Sequence, residues 1–224
     1  MNALRVALVL LAASLGCRTA RSEPLVIERT VVRFIAPETG GAQSPRFIFE
    51  RTLSFEARLE ALADPDQDAT ATVPSRERHV RAALERHVAE TLLASLHIEP
   101  EPTADDLDRQ TRSARLMLLA RVGGPAALAE AARAEGIGDR ELLGVIRRQA
   151  RASLYLDRMV MPMLTPSDAE LRAVQRAAPP ELRARPFAEV AADLRRWYVS
   201  RRLATALNAF YQNARARLVL TILD

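Results

Sequence analysis

Three histidines are the residues of this sequence with the most obvious capacity for metal or acid–base chemistry. His79 and His87 lie eight positions apart in a segment of helical periodicity, which places them two turns apart on roughly one side. Helical zinc sites usually take ligands at i and i+4 with a further ligand nearby, and this pair lacks that spacing. We therefore expect His79 and His87 to be surface residues. His97 is expected at a helix end, where a cation is stabilised.

Motifs for nucleophilic chemistry and phosphate binding are missing from the sequence. No serine lies in a Gly-x-Ser-x-Gly elbow, and the single cysteine, Cys17, lies in the N-terminal leader. The glycines at positions 123, 124, 136 and 138 lack the spacing of phosphate-binding loops and instead predict helix ends. Adjacent Asp105 and Asp106 predict the first turn of a helix. We expect no catalytic residues, no cofactor and no metal, and hence a protein that is not an enzyme.

A methionine-rich segment favours a binding function. Three methionines fall within five positions, and methionine provides the flexible, polarisable surface that proteins with many partners use. The alternative is that this segment fills a core. We assign peptide binding to this segment and to two aromatic residues further along the chain, namely Leu154, Tyr155, Met159, Met161, Met163, Leu164, Trp197 and Tyr198.

The composition predicts a mainly helical protein. Of 224 residues, 49% are apolar and 4% aromatic, and the frequent residues Ala, Leu, Arg and Glu are strong helix formers. All 32 basic residues are arginine, and the 28 acidic residues leave a net charge of only +4. Because no basic run is long enough to follow a phosphate backbone, we expect no nucleic-acid binding.

The N-terminal residues predict an exported, periplasmic protein. Arg5 precedes an apolar stretch over 6–16, which is typical of a secretory signal covering residues 1–17. The residues before Cys17 resemble a lipoprotein signal, although Ser14 stands where such signals usually have Leu, Val or Ile. Two outcomes remain open: simple cleavage, or lipidation of Cys17, which would attach the protein to a membrane. No later segment has the length and apolarity of a transmembrane helix.

Residues 25–224 are predicted to form a single helical domain with a small sheet. β-branched and aromatic residues predict a hairpin with strands over 25–36 and 46–50, and the tail over 218–223 predicts a third strand that completes its sheet. Residues 64–74 are expected to form a solvated loop. The apolar periodicity predicts helices over 53–63, 75–97, 103–122, 126–135, 139–162 and 186–217, and a short helix that starts at 165. Ser75, Asp139 and Thr165 are the predicted caps of the helices that start there.

The order of these elements resembles a known family of chaperones. The segments Leu-Thr-Pro-Ser-Asp-Ala-Glu-Leu at 164–171 and RPFAEVAADLRRWYVSRRLATALNAFYQNARARLVLTIL at 185–223 are the most specific pieces, together with the hairpin and the Gly-Gly helix stop. With these features the chain resembles the chaperone module of the SurA family of periplasmic proteins. The resemblance covers roughly residues 25–224.

The resemblance implies a function without an enzymatic domain. In full-length members of the family, parvulin prolyl isomerase domains are inserted at the place that corresponds to 178–186, and the residues between Leu171 and Phe187 are too few to hold one. The resemblance therefore implies ATP-independent binding of unfolded polypeptides, typically outer-membrane β-barrel precursors, in a groove between helices. Arginines such as Arg147, Arg148 and Arg151, or Arg195 and Arg196, could steer acidic client segments or be ordinary solvated residues. The alternative function is a membrane-anchored scaffold that uses the same fold to bind one defined partner.

Overall fold

A computed structural model describes residues 28–66 and 76–223. The predictions for the signal sequence, for Cys17, for the start of the first strand, for the Ser75 cap and for most of the 64–74 loop fall outside these residues.

The two ends of the described chain meet in one small sheet, as the sequence predicts. Strands β1 (Thr30–Ile35), β2 (Arg46–Phe49) and β3 (Val219–Ile222) are antiparallel and lie in the order β2-β1-β3. Phe34 lies opposite Arg46 on one neighbouring strand and Leu220 on the other. Because side chains alternate along a strand, Val32 and Phe34 point to the same face, and both are buried.

Helices make up most of the remaining structure, so the protein is mainly α with a small sheet, which confirms the predicted fold class. The π-helical turn Leu156–Val160 lies between the helices Asp139–Tyr155 and Met161–Leu164. In the part of the chain that the structure describes, no helix is both long enough and apolar enough to cross a membrane. The helices are α1 (Glu50–Leu62), α2 (Glu77–Ser95), α3 (Ala104–Val122), α4 (Pro125–Ala134), α5 (Asp139–Tyr155), α6 (Met161–Leu164), α7 (Asp168–Ala177), α8 (Pro180–Arg183) and α9 (Phe187–Arg217).

The two predicted helix caps that lie in the described residues, Asp139 and Thr165, differ from the structure. The helix predicted over 103–122 is present, and Thr103 caps α3, where its hydroxyl accepts a hydrogen bond from the Asp106 amide. Asp139 instead occupies the first position of α5, after Gly138. The cap of α7 is Ser167, not Thr165, because Ser167 can form a capping box with a glutamate three positions later, whereas the Thr165 hydroxyl donates to the preceding helix.

Two apolar cores hold the first five helices and the sheet together. One core lies among α1, α3, α4 and α5 and includes the fully buried Phe55. The other packs the buried face of the sheet against α1 and α2, with Ala214 and Phe210 from the end of α9. Phe34 lies at the centre of this second core, so the C-terminal end of α9 is fastened to the body of the protein.

The long helix α9 joins that body to a third, smaller cluster. This distal cluster consists of buried Leu171, Val190 and Leu194 with Val174, Phe187 and Tyr198 packed against it. Most of the apolar residues of α9 are not fully buried. Only Val190, Leu194 and Ala214 are buried in its 31 residues. These residues lie towards the two ends of a helix that is about 46 Å long.

Candidate functional site

Helices α7 and α8 form one wall of a groove against the first half of α9. The start of α7 is fixed by the capping box, in which the Glu170 carboxylate accepts hydrogen bonds from the Ser167 amide at 2.8 Å and the Ser167 hydroxyl at 2.9 Å. These bonds lower the pKa of Glu170. The side-chain amide of Gln175 donates to the carbonyl oxygens of Leu182 at 3.1 Å and Arg185 at 2.8 Å. One glutamine therefore ties α8 to the last turn of α7.

The groove between these helices is apolar and open to solvent. Its volume is about 620 Å³, which lies in the size range of small-molecule and peptide-side-chain sites. Trp197 keeps 49% of its surface exposed and Leu182 keeps 36%. A large exposed tryptophan beside other apolar side chains is typical of a binding surface. The groove is lined by Val174, Ala177, Ala178, Pro179, Leu182, Val190, Asp193, Leu194, Trp197 and Arg201.

Two of the residues that line the groove are charged. Asp193 lies one helical turn before Trp197, and Arg201 lies one turn after it. Asp193 accepts a hydrogen bond from Arg196, so its charge is already compensated. Arg201 lies with its guanidinium carbon 5.4 Å from the centre of the Trp197 ring, a cation–π distance. Among the described residues, no carboxylate forms an ion pair with Arg201. The groove thus has an apolar floor and a cation at one end that is free to bind an anion.

The predicted methionine segment lies outside this groove. Leu154 is buried at the end of α5, whereas Met163 is 74% exposed on α6. The turn between them is attached to α3, because Arg158 pairs with Asp106 at 2.7 Å and Gln110 donates to Asp157 at 3.1 Å. The pKa of Asp106 is lowered strongly, first by the hydrogen bond from Arg158 and then by those from Thr103. The other predicted residues here are half-buried, namely Tyr155, Met159, Met161 and Leu164.

The two predicted residues of α9 have different surroundings. Trp197 lines the groove, whereas Tyr198 packs against the distal cluster and accepts a hydrogen bond from Arg202 at 2.8 Å. The structure therefore brings Trp197 together with residues that sequence reasoning did not select, chiefly Leu182 and Val174. Leu182 is an apolar residue in a short proline-flanked segment, which is a sequence signal for this wall, although it does not place Leu182 beside Trp197.

The histidines of α2 are not surface residues, so that prediction is wrong. His79 is 4% and His87 is 8% exposed. His79 lies 3.0 Å from the Asp64 carboxylate that follows α1, and His87 lies 3.0 Å from the carboxylate of Glu56 within α1. Each histidine has a carboxylate partner across the α1–α2 interface, and this contact offsets the cost of burying the ring.

The second of these pairs belongs to a buried charged network between α1, α2 and α5. Arg148 donates to Glu56 at 2.5 Å and to Glu90 at 3.3 Å. Burial alone would raise the pKa of Glu56, but the hydrogen bond from His87 and the charge of Arg148 lower it. At Glu90 the effect of burial is larger than the opposing effect of Arg148, so the pKa of Glu90 is raised. Glu56 and His87 are almost inaccessible to solvent, so this network joins the three helices.

Most of the arginines that were expected to steer acidic client segments form contacts within the protein. Half-buried Arg148 belongs to the charged network, Arg151 donates to the carbonyl oxygen of Leu96, and Arg195 pairs with Asp168 at 2.9 Å. No three histidine, cysteine, aspartate or glutamate residues in the ranges 28–66 and 76–223 are placed to hold a metal ion.

Comparison of the chain with family models, with curated proteins and with solved structures gives no match in any of the three. The resemblance to the SurA family therefore remains a prediction from the residues quoted for it, and the geometry of the groove must support any functional proposal.

Proposed function

We propose that this protein is an exported, ATP-independent chaperone-like protein that binds unfolded polypeptide segments in the groove between α7, α8 and α9. The observation that carries the proposal is the open apolar groove with half-exposed Trp197 beside Leu182. Unfolded segments expose varied apolar side chains, and a shallow apolar groove can accept many of them without a fixed sequence.

The position of the groove adds support. It lies at the far end of α9 from the sheet, and no residue between positions 195 and 213 of that helix is buried. An extended client could therefore continue from the groove along the surface of this helix. Affinity should stay modest, because binding an extended chain carries an ordering cost.

The direct test is aggregation of an unfolded outer-membrane β-barrel protein that is diluted from urea, followed by light scattering. The wild-type protein in molar excess is expected to slow the aggregation. Leu182→Asp, which places a charge in the groove, should remove most of this effect. Leu116→Asp is the matched control, because Leu116 is 68% exposed on α3 and is not among the residues that line the groove.

Two results would count against the proposal: no protection by the wild-type protein, or equal protection by both variants. A photoreactive residue at Leu182, and a second at Met161 in the methionine segment, would then show what each surface contacts in the native periplasm. Capture of many unfolded outer-membrane proteins agrees with a chaperone. Repeated capture of one folded partner would instead favour the membrane-anchored scaffold.

A further inference from the structure

We infer that the groove prefers apolar polypeptide segments that carry a carboxylate, and that Arg201 is the residue that recognises this charge. The inference rests on the proposed function, since it names the class of client segment that the same groove selects.

The distribution of charge at the groove supports this choice of occupant. Of the two charged residues that line it, Asp193 is neutralised by Arg196, whereas Arg201 has no ion-pair partner in the described part of the chain. Other arginines of α9 are occupied, since Arg195 pairs with Asp168 and Arg202 donates to the hydroxyl of Tyr198. A bound acidic group would therefore find one available cation at the groove.

The position of Arg201 also fixes where that acidic group must lie. Its guanidinium lies over the Trp197 ring, which leaves the N–H edge of the planar group free to donate two hydrogen bonds to a carboxylate. An apolar side chain against Trp197 would then lie next to the acidic group. The occupant is thus an apolar segment with an aspartate, a glutamate or a terminal carboxylate adjacent to its buried residue.

The expected preference is small but measurable. Arg201 is exposed, so an ion pair there is screened by water and salt. Exposed pairs correspond to roughly a two- to fivefold change in affinity. The preference should decrease as the salt concentration rises, whereas the apolar part of binding should persist.

Trp197 makes the test direct, because it is the single tryptophan of the chain and it lines the groove. Three peptides without tryptophan, identical and apolar except for one central Glu, Gln or Lys, are titrated against the full chain while Trp197 fluorescence is recorded. The wild-type protein should bind the Glu peptide about two- to fivefold more tightly than the Gln peptide. Arg201→Gln should bring that ratio close to one, and Arg201→Glu should make the Lys peptide the preferred ligand.

Arg202→Gln is the control, because this neighbouring arginine contacts Tyr198 and does not line the groove. It should keep the wild-type ratio. Equal binding of the three peptides to the wild-type protein would overturn the inference and leave the proposed function intact. Failure of every peptide to alter Trp197 fluorescence, together with no protection against aggregation, would reject both. A fluorescence change with protein concentration alone, with a dimer in sedimentation, would show that a second copy occupies the groove and would also overturn the inference.

Discussion

Replacing Arg148 by alanine should strongly destabilise the protein at neutral pH. The arginine is the cation that pairs with two carboxylates, buried Glu56 at 2.5 Å and half-buried Glu90 at 3.3 Å. Its loss leaves two negative charges in the interface between α1, α2 and α5. Removal of one partner from a buried ion pair typically costs about 3–5 kcal/mol, and we expect a loss of free energy of unfolding in that range. Its neighbour Arg147, which is exposed, provides the control, since Arg147→Ala should change stability by less than about 0.5 kcal/mol.

The pH dependence of this loss has a definite sign. In the wild-type protein Glu56 has a lowered pKa, so its contribution to stability is complete above its unfolded value of 4.5 and is lost as the pH falls through its lower folded value. Glu90 has a raised pKa, so its charge opposes folding at neutral pH, and this opposition disappears on acidification. Without Arg148 the pKa of both carboxyls should rise, and protonation should then relieve the charge–charge repulsion and the burial cost.

Urea unfolding of both variants at pH 7 and near pH 4 measures the effect. The difference between Arg148→Ala and wild type should be smaller at the acidic pH, and a combined Glu56→Gln, Glu90→Gln and Arg148→Met variant should recover part of the loss at pH 7. A loss for Arg148→Ala equal to that for Arg147→Ala, or a loss that grows on acidification, would refute the assignment of Arg148 as the buried counterion.

Four further substitutions test the local structure, each by thermal or urea unfolding. Gly144→Ala should stabilise the protein by roughly 0.5–1 kcal/mol, because Gly144 lies inside α5 and an added Cβ meets nothing within 4 Å. Gly123→Ala should have the opposite sign and cost about 1 kcal/mol, because Gly123 ends α3 with φ of 86°. Ser167→Ala should cost about 1 kcal/mol through loss of the α7 cap, whereas Thr165→Ala should cost less, and the reverse order would contradict the capping assignment.

The helices and the sheet could be predicted because each depends on local patterns. The β-branched residues near Val32 and Ile222 indicate strands at both ends of the chain, and a lone hairpin needs a partner strand, so the pairing of β1 with β3 follows. Gly123 ends α3 as predicted because only glycine adopts positive φ without steric cost.

The burial of the histidines could not be predicted, because spacing along one helix does not reveal its partners. His87 is buried because Glu56 faces it across an interface formed by two different helices, 31 positions apart in sequence. The same limit applies to the groove. Trp197 could be selected from its residue type, but its neighbour Leu182 is placed there by the hydrogen bonds of Gln175, which depend on the fold of α7 against α8.

The sheet has a consequence for folding, because its strands lie at opposite ends of the described chain. Translation proceeds from the N-terminus, so β1 and β2 are synthesised long before β3, which lies at the other end of the described chain. Until the last turns of α9 and β3 emerge, the core around Phe34 lacks Ala214 and Phe210, and one edge of β1 has no hydrogen-bonding partner. The long stretch of chain between β1 and β3 lowers the free energy of unfolding only a little, because each doubling of the length of a closed loop costs about 0.6 kcal/mol. A copy in which β3 has not yet joined the sheet therefore exposes an unpaired strand beside an incomplete apolar core, and both features favour aggregation.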